Sequence, residues 1–133
     1  MKEIILIVTF FIFQTVSSQV EAQVTPEPDE NIYNIVGIET KPEYPGGMSV
    51  FYEYINSEFR DPKVNGLKGI VFVCFIVEKD GSLTDIKVLR DTGHDTGEKV
   101  VRLLKNSLKW TPGYQNGRKV RVMYSLPINI SAN

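Results

Sequence analysis

Two different patterns of hydrophobic and polar positions stand out in the middle of this chain, over residues 48–59 and 69–78. Within residues 48–59, apolar side chains recur every four residues, which predicts an amphipathic helix with one face toward a core. These side chains are Phe51, Ile55 and Phe59. Residues 69–78 (GIVFVCFIVE) are apolar at nearly every position. Such a run predicts a central strand that is covered to some degree on both faces.

The next elements are separated by turn signals. Asp80-Gly81 predicts a tight turn into a second strand over residues 83–90. Asp95 and Glu98 have the spacing of a helix-capping pair, and an amphipathic pattern follows them. The apolar side of this second helix is formed by Val100, Leu104 and Leu108. We expect Trp110, at the end of that helix, to belong to the core.

The last predicted strand covers residues 118–130, where apolar and polar residues alternate. One face should be buried and the other exposed to solvent. Pro127 cannot donate a hydrogen bond within a sheet, which favours an edge position. The predicted fold is therefore α+β: a three-stranded antiparallel sheet with two helices on one face.

The N-terminal pattern differs from the rest of the chain. Residues 4–13 form an apolar run, which is too short for a hydrocarbon core that needs ~20 residues. The run predicts a signal peptide over residues 1–18, cleaved between Ser18 and Gln19, and an uncleaved inner-membrane anchor is the alternative. Residues 19–31 are acidic and contain proline, so we expect a flexible arm before a domain over residues 32–133. The apolar residues within 31–40 predict a weak strand or an extended lead-in at the start of this domain.

Composition and charge narrow the range of functions. The formal net charge is −1, without the broad basic field of a nucleic-acid-binding protein. A single cysteine, Cys74, excludes an intrachain disulfide and a multi-cysteine metal site, and we expect it inside a strand. The single histidine, His94, gives too few ligands for a metal site and no good catalytic triad. The sequence therefore predicts a protein without cofactor or metal that binds a partner and is not an enzyme.

Five short motifs, in order and at their spacing, resemble the C-terminal domain of the TonB family, in the form common in Bacteroidetes-type Gram-negative bacteria. The resemblance covers roughly residues 33–130. The motifs are Glu43-Tyr44-Pro45-Gly46-Gly47, Gly69-Ile70-Val71, residues 80–88 (DGSLTDIKV), residues 109–117 with Lys109-Trp110-Thr111-Pro112-Gly113 and Asn116-Gly117, and Leu126-Pro127-Ile128.

This resemblance implies a periplasmic domain that serves energy-coupled outer-membrane transport. Its partners would be outer-membrane receptors, each of which adds a short segment, the TonB box, as an extra strand at the sheet edge. The implied peptide-binding residues on the last strand are Lys119, Arg121, Met123 and Ser125. Tyr44 and Pro45 would lie near the bound peptide, where Tyr44 offers a ring and a hydroxyl.

The region before the domain departs from a complete TonB energy transducer, which has a long proline-rich arm. Even with the stretch to Glu43 included, about 25 residues at ~3.5 Å each reach ~90 Å at most, so we expect a free-standing domain. The alternative function is a periplasmic module that keeps this fold and associates with itself, as a homodimer, or with the cell wall. The two-faced apolar strand motivates this alternative, since one of its faces could be exposed.

Overall fold

The computed structural model describes residues 29–59, 68–93 and 95–131. The predicted signal segment, most of the predicted arm and His94 lie outside these residues. Within these described ranges, two helices and five strands follow one another. They are β1 (Ile32–Asn34), α1 (Met48–Ser57), β2 (Lys68–Val77), β3 (Leu83–Arg90), α2 (Thr96–Lys105), β4 (Gly113–Gln115) and β5 (Arg118–Ser131).

The five strands form one mixed sheet in the order β1-β5-β2-β3, and β4 pairs with the first residues of β5. β2 lies antiparallel to β5, in a register that runs from Lys68 opposite Ser131 to Val77 opposite Val122. β1 is parallel to β5. The predicted antiparallel trio is correct for β3, β2 and β5, but the prediction of a three-stranded sheet is wrong. β1 lies within residues 31–40, for which the sequence predicts a weak strand or an extended lead-in, but not as a member of the sheet. β4 has three residues, too few for an alternating pattern to reveal it.

Both helices and the sheet share one hydrophobic core. Phe51 and Ile55 of α1 and Val100 and Leu104 of α2 are almost completely buried. The sheet contributes alternate side chains that point the same way, as the period of a strand requires. These are Val71, Val73, Phe75 and Val77 of β2 and Leu126, Ile128 and Ile130 of β5. The helices therefore cover one face of the sheet, as the sequence predicts.

Trp110 lies inside this core and is 2% exposed, which confirms its predicted place. Its ring contacts those of Phe51 and Phe75 edge-on, with centroids 5.3 and 5.5 Å apart. Tyr44 packs against the same indole at 5.7 Å. Edge-to-face aromatic pairs add to the free energy of burial, so these rings fix the segment after α2 against the sheet.

The start and end of α2 differ from the sequence prediction. Asp95 makes no side-chain capping bond, and the carboxylate of Asp91 instead accepts a hydrogen bond from the Gly97 N–H at 3.1 Å. Leu108 lies beyond the helix and is 62% exposed. The helix ends at Lys105, one turn before the apolar pattern does, which removes Leu108 from its buried face.

The opposite face of the sheet has no helix among the described residues. Cys74 is half-buried within β2, and its neighbour Ile76 is 4% exposed, so part of this face is covered. Other large apolar side chains here are exposed: Ile70, Phe72, Leu89 and Met123. Neither described helix is long and apolar enough to cross a membrane.

Candidate functional site

One side of β5 faces away from β2. The position of Pro127 indicates which residues of β5 direct their main-chain N–H and C=O groups to that side. Pro127 lies opposite Phe72 of β2. In an antiparallel pair, alternate residues direct their main-chain groups to the partner strand and away from it, and a proline fits where they point away. Consistent with this, the carbonyl of Pro127 accepts a hydrogen bond from the hydroxyl of Tyr52 in α1, at 3.4 Å.

The period of two then gives the same outward orientation to the main chain of Met123, Ser125 and Asn129. β1 covers the first part of this side, where Ile32 lies opposite Arg121 and Asn34 lies opposite Met123. From position 124 to position 131, no strand among the described residues pairs with it. We call this part of the strand, residues 124–131, the open edge.

The opposite margin of the sheet, formed by β3, is a poorer place for strand pairing. Its ladder with β2 has two register shifts. Asp85 has a φ of 49° there, and its carboxylate lies 3.6 Å from the Nζ of exposed Lys87. Bulges and charges of this kind hinder the addition of another strand. The open edge of β5 is therefore the better candidate site.

The four residues predicted on β5 occupy different surroundings. Lys119 is exposed and lies opposite Tyr114 of β4. Arg121 is half-buried, and its Nε donates to both carboxylate oxygens of Glu78, at 2.8 and 3.1 Å. Met123 is 38% exposed beside β1. Of the four, only Ser125 lies within the open edge.

Tyr44 and Pro45 are not equivalent in the structure. Tyr44 is 4% exposed, and its ring lies 5.3 Å from that of Phe51 in the core. Hydrogen bonds in both directions between Glu43 and Thr111 hold the preceding main chain in place, at 3.1 and 2.8 Å. Pro45 is exposed in the turn before α1. Tyr44 therefore belongs to the hydrophobic core, and its place beside a bound peptide stays a prediction.

The contact of Tyr52 and the pairing of β1 with β5 are the features of this edge that the sequence did not predict. Tyr52 lies next to the buried Phe51 in α1, so its position beside the helix stripe was visible, but its contact with Pro127 was not. Burial raises the pKa of Tyr52 above its ordinary value of 10. Its hydroxyl is thus protonated at neutral pH and able to donate to the carbonyl.

The chemistry of the edge suits the binding of a main chain. Among the described residues, no three histidine, cysteine or acidic side chains come together in a way that could hold a metal ion. The charged groove beside β1 is an open cleft of about 340 Å³, lined by Glu30, Glu78, Lys79, Asp80, Ser82 and Arg121. What the open edge offers is a row of main-chain donors and acceptors, which an extended peptide can satisfy.

Comparison with known proteins agrees with this architecture. The family model described as Gram-negative bacterial TonB protein C-terminal matches residues 61–130, more than half of the chain. The match includes β2, β3, α2, β4 and nearly all of β5, whereas β1 and α1 precede it. Neither the curated proteins nor the solved structures gave a match. The chain therefore belongs to the family of the TonB C-terminal domain, a family of non-enzymatic protein-interaction domains typically found in the periplasm of Gram-negative bacteria.

Proposed function

We propose that this domain binds extended segments of outer-membrane receptors by strand addition at the open edge of β5, as part of energy-coupled transport. The observation that carries the proposal is the outward main chain of Ser125 and Asn129, which no described strand pairs with. Free strand edges of this kind are templates for another strand. The family relationship supplies the class of partner.

The test is a titration of the ¹⁵N-labelled protein with synthetic peptides that carry the TonB-box sequences of receptors from the same genome. Binding by strand addition should shift the amide resonances of Ser125 and Asn129 more than those of β3. Unchanged resonances along residues 124–131 with every peptide would refute the proposal.

Two variants at one exposed position separate main-chain pairing from side-chain contact. Ser125→Pro removes the N–H that faces the open edge, and it should leave the pairing with β2 intact, as Pro127 does two residues later. Ser125→Ala keeps the N–H and removes only the hydroxyl. We expect Ser125→Pro to weaken peptide binding about tenfold, and Ser125→Ala to bind like the unchanged protein.

We further propose that the domain acts in the periplasm after cleavage of residues 1–18. The apolar run over residues 4–13 and the periplasmic setting typical of the family support this placement. N-terminal sequencing of the mature protein should then begin at Gln19. A start at Met1 would instead indicate the membrane-anchored alternative.

Self-association is a second candidate function, and the uncovered face of the sheet favours it. Phe72 is 37% exposed, Ile70 43% and Leu89 65%, and contiguous apolar surface often marks an interface. A dimer through this face should appear in light scattering and should dissociate in the variant Phe72→Lys. A monomer at all concentrations would exclude this candidate.

A further inference from the structure

β1 lies on the same side of β5 that a partner strand would use. Tyr33, its central residue, lies opposite Val122. In a parallel pair of this register, the main chain of Tyr33 faces the outward groups of Arg121 and Met123. β1 therefore occupies two of the positions that the sequence analysis assigns to the partner.

Polar contacts hold the N-terminal end of β1 against the sheet. Glu30 precedes the strand, and its carboxylate lies 3.1 Å from the Nζ of Lys79. The main-chain carbonyl of Glu30 accepts a hydrogen bond from Nη1 of Arg121 at 3.5 Å. The same guanidinium is held by Glu78 on its other side. These contacts are at least partly exposed, so each contributes little to stability and weakens in salt.

The C-terminal end of β1 is a turn that takes the chain off the edge. The side-chain oxygen of Asn34 accepts a hydrogen bond from the Val36 N–H at 2.9 Å, and Gly37 follows with a φ of 89°. Asparagine and glycine suit such a turn because they form local hydrogen bonds or tolerate a positive φ. The turn stops β1 after three paired residues, and this leaves the open edge free.

β1 contributes less to the hydrophobic core than the longer strands of the sheet do. Ile32 is 45% exposed, Asn34 is exposed and Tyr33 is half-buried, and none of the three belongs to the hydrophobic core. A short, exposed strand held by weak ion pairs is the kind of segment that opens locally at low free-energy cost.

We propose that β1 is a displaceable strand that occupies part of the partner site in the free protein. The proposal rests on the proposed function. A partner strand that pairs only with the open edge leaves β1 in place. A longer partner strand that extends past Ser125 to Arg121 displaces β1. Because β1 must first leave this edge, the apparent affinity for such a partner equals the intrinsic affinity multiplied by the fraction of molecules in which the edge is clear. The strand thus tunes the affinity for long partner segments and is a regulatory element of this edge.

A reversible lock tests the proposal on the full chain. Asn34→Cys and Met123→Cys, made together in a Cys74→Ala background, place two thiols at registered positions on β1 and β5. Neighbouring strands are close enough for such a pair to form a disulfide. The same synthetic TonB-box peptides are titrated against the oxidised and the reduced protein. Oxidation should weaken the binding of peptides long enough to reach position 121 by at least ~10-fold.

A release variant gives the opposite expectation. Tyr33→Pro removes the central N–H of β1 and disrupts its pairing. It should tighten the binding of the long peptides several-fold, while peptides trimmed to the open edge bind equally well to every form. Retained circular dichroism and unchanged amide resonances of β2 would show that the variant is folded.

The outcomes separate the two proposals. Long peptides that bind equally to the oxidised, reduced and Tyr33→Pro proteins would overturn the role of β1 and leave strand addition at the open edge standing. Peptides that bind none of these forms, including the released one, would overturn both. Weaker binding on oxidation that is restored by reduction supports the displaceable strand.

Discussion

Gly81 and Trp110 meet main chain to main chain, where the turn between β2 and β3 touches the segment after α2. The Trp110 N–H donates to the carbonyl of Gly81 at 2.9 Å. A Cβ added to Gly81 would lie 1.9 Å from the carbonyl oxygen of Trp110, and the φ of this glycine is 88°. This contact holds the turn between β2 and β3 against the segment that carries the buried indole. A larger residue at position 81 would therefore disturb the packing of the aromatic core.

The variant Gly81→Ala should therefore be strongly destabilising. Both the positive φ and the main-chain clash oppose a methyl group, and we expect a loss of ~3 kcal/mol or more in the free energy of unfolding. Gly117→Ala is the matched control, because Gly117 also has a positive φ, 75°, but an added Cβ meets nothing within 4 Å. It should cost only about 1 kcal/mol. Urea denaturation of both variants measures the difference, and equal losses would show that the Trp110 contact is unimportant.

Leu104 and Leu108 allow a second comparison, between a buried and an exposed residue of the same type. Leu104 is 1% exposed in the core, whereas Leu108 is 62% exposed beyond the end of α2. Leu104→Ala should lower the free energy of unfolding by ~2–5 kcal/mol, because it removes buried methyl groups and leaves a cavity. Leu108→Ala should change it by less than ~0.5 kcal/mol. Thermal or urea unfolding checks both values, and a large loss for Leu108→Ala would contradict the position that the structure gives it.

The long elements of this fold were predictable because each has a sustained hydrophobic pattern. The apolar run of β2, the alternation in β5 and the stripe of α1 span ten or more residues each, and the structure has all three. β1 is different, since its three residues pair with a strand almost ninety positions away. Such pairing depends on tertiary structure, and no local pattern in the sequence reports it.

The sequence indicated which strand has an unpaired side, but not which elements lie beside it. Pro127 favours an edge position for the last strand, but β5 lies between β1 and β2, and its outer side lacks a described partner strand only over residues 124–131. Sequence could not show that β1 lies beside Arg121 and Met123, or that Tyr44 is buried against Trp110. The resemblance placed Tyr44 near the peptide, yet packing in the aromatic core determines where its ring lies.

Tyr124 should make the protein sensitive to alkaline pH. Burial raises its pKa above 10, and the negative charges of Tyr52, once ionised, and of Glu43 add to the effect. The unfolded chain therefore loses this proton first as the pH rises. The stability that the neutral hydroxyl contributes is complete below pH 10 and is lost as the pH rises through the higher pKa of the folded state.

The variant Tyr124→Phe should accordingly unfold with a shallower dependence on pH above 10. At pH 7 it should cost only ~0.5 kcal/mol, because the hydroxyl makes one weak contact, with the sulfur of Met48 at 3.8 Å. Urea midpoints measured from pH 7 to pH 11.5 test this, and parallel curves for the two proteins would count against it.

Asp91 should give the stability of the protein the opposite pH dependence: stability should fall as the pH decreases in the acid range. Burial acts to raise its pKa, but hydrogen bonds from the Gly93 N–H, Thr96 and the Gly97 N–H outweigh this effect and hold the pKa below 3.8. The ionised carboxylate joins the end of β3 to the start of α2, where a negative charge is also favoured by the helix dipole. Its contribution is present above pH 3.8 and is lost as the pH falls through the lower pKa of the folded state.

Asp91→Asn should therefore destabilise the protein by ~1 kcal/mol at pH 7, a modest value because the carboxyl is exposed and screened by solvent. The difference from the unchanged protein should shrink as the pH falls below 3.8. Asp95→Asn is the control: Asp95 makes no capping bond, and asparagine tolerates its φ of 57°, so this variant should differ by less than ~0.5 kcal/mol. Urea unfolding at pH 7 and pH 3 distinguishes the two carboxylates. An equal loss in both variants would mean that net charge, and not the link between β3 and α2, determines the effect.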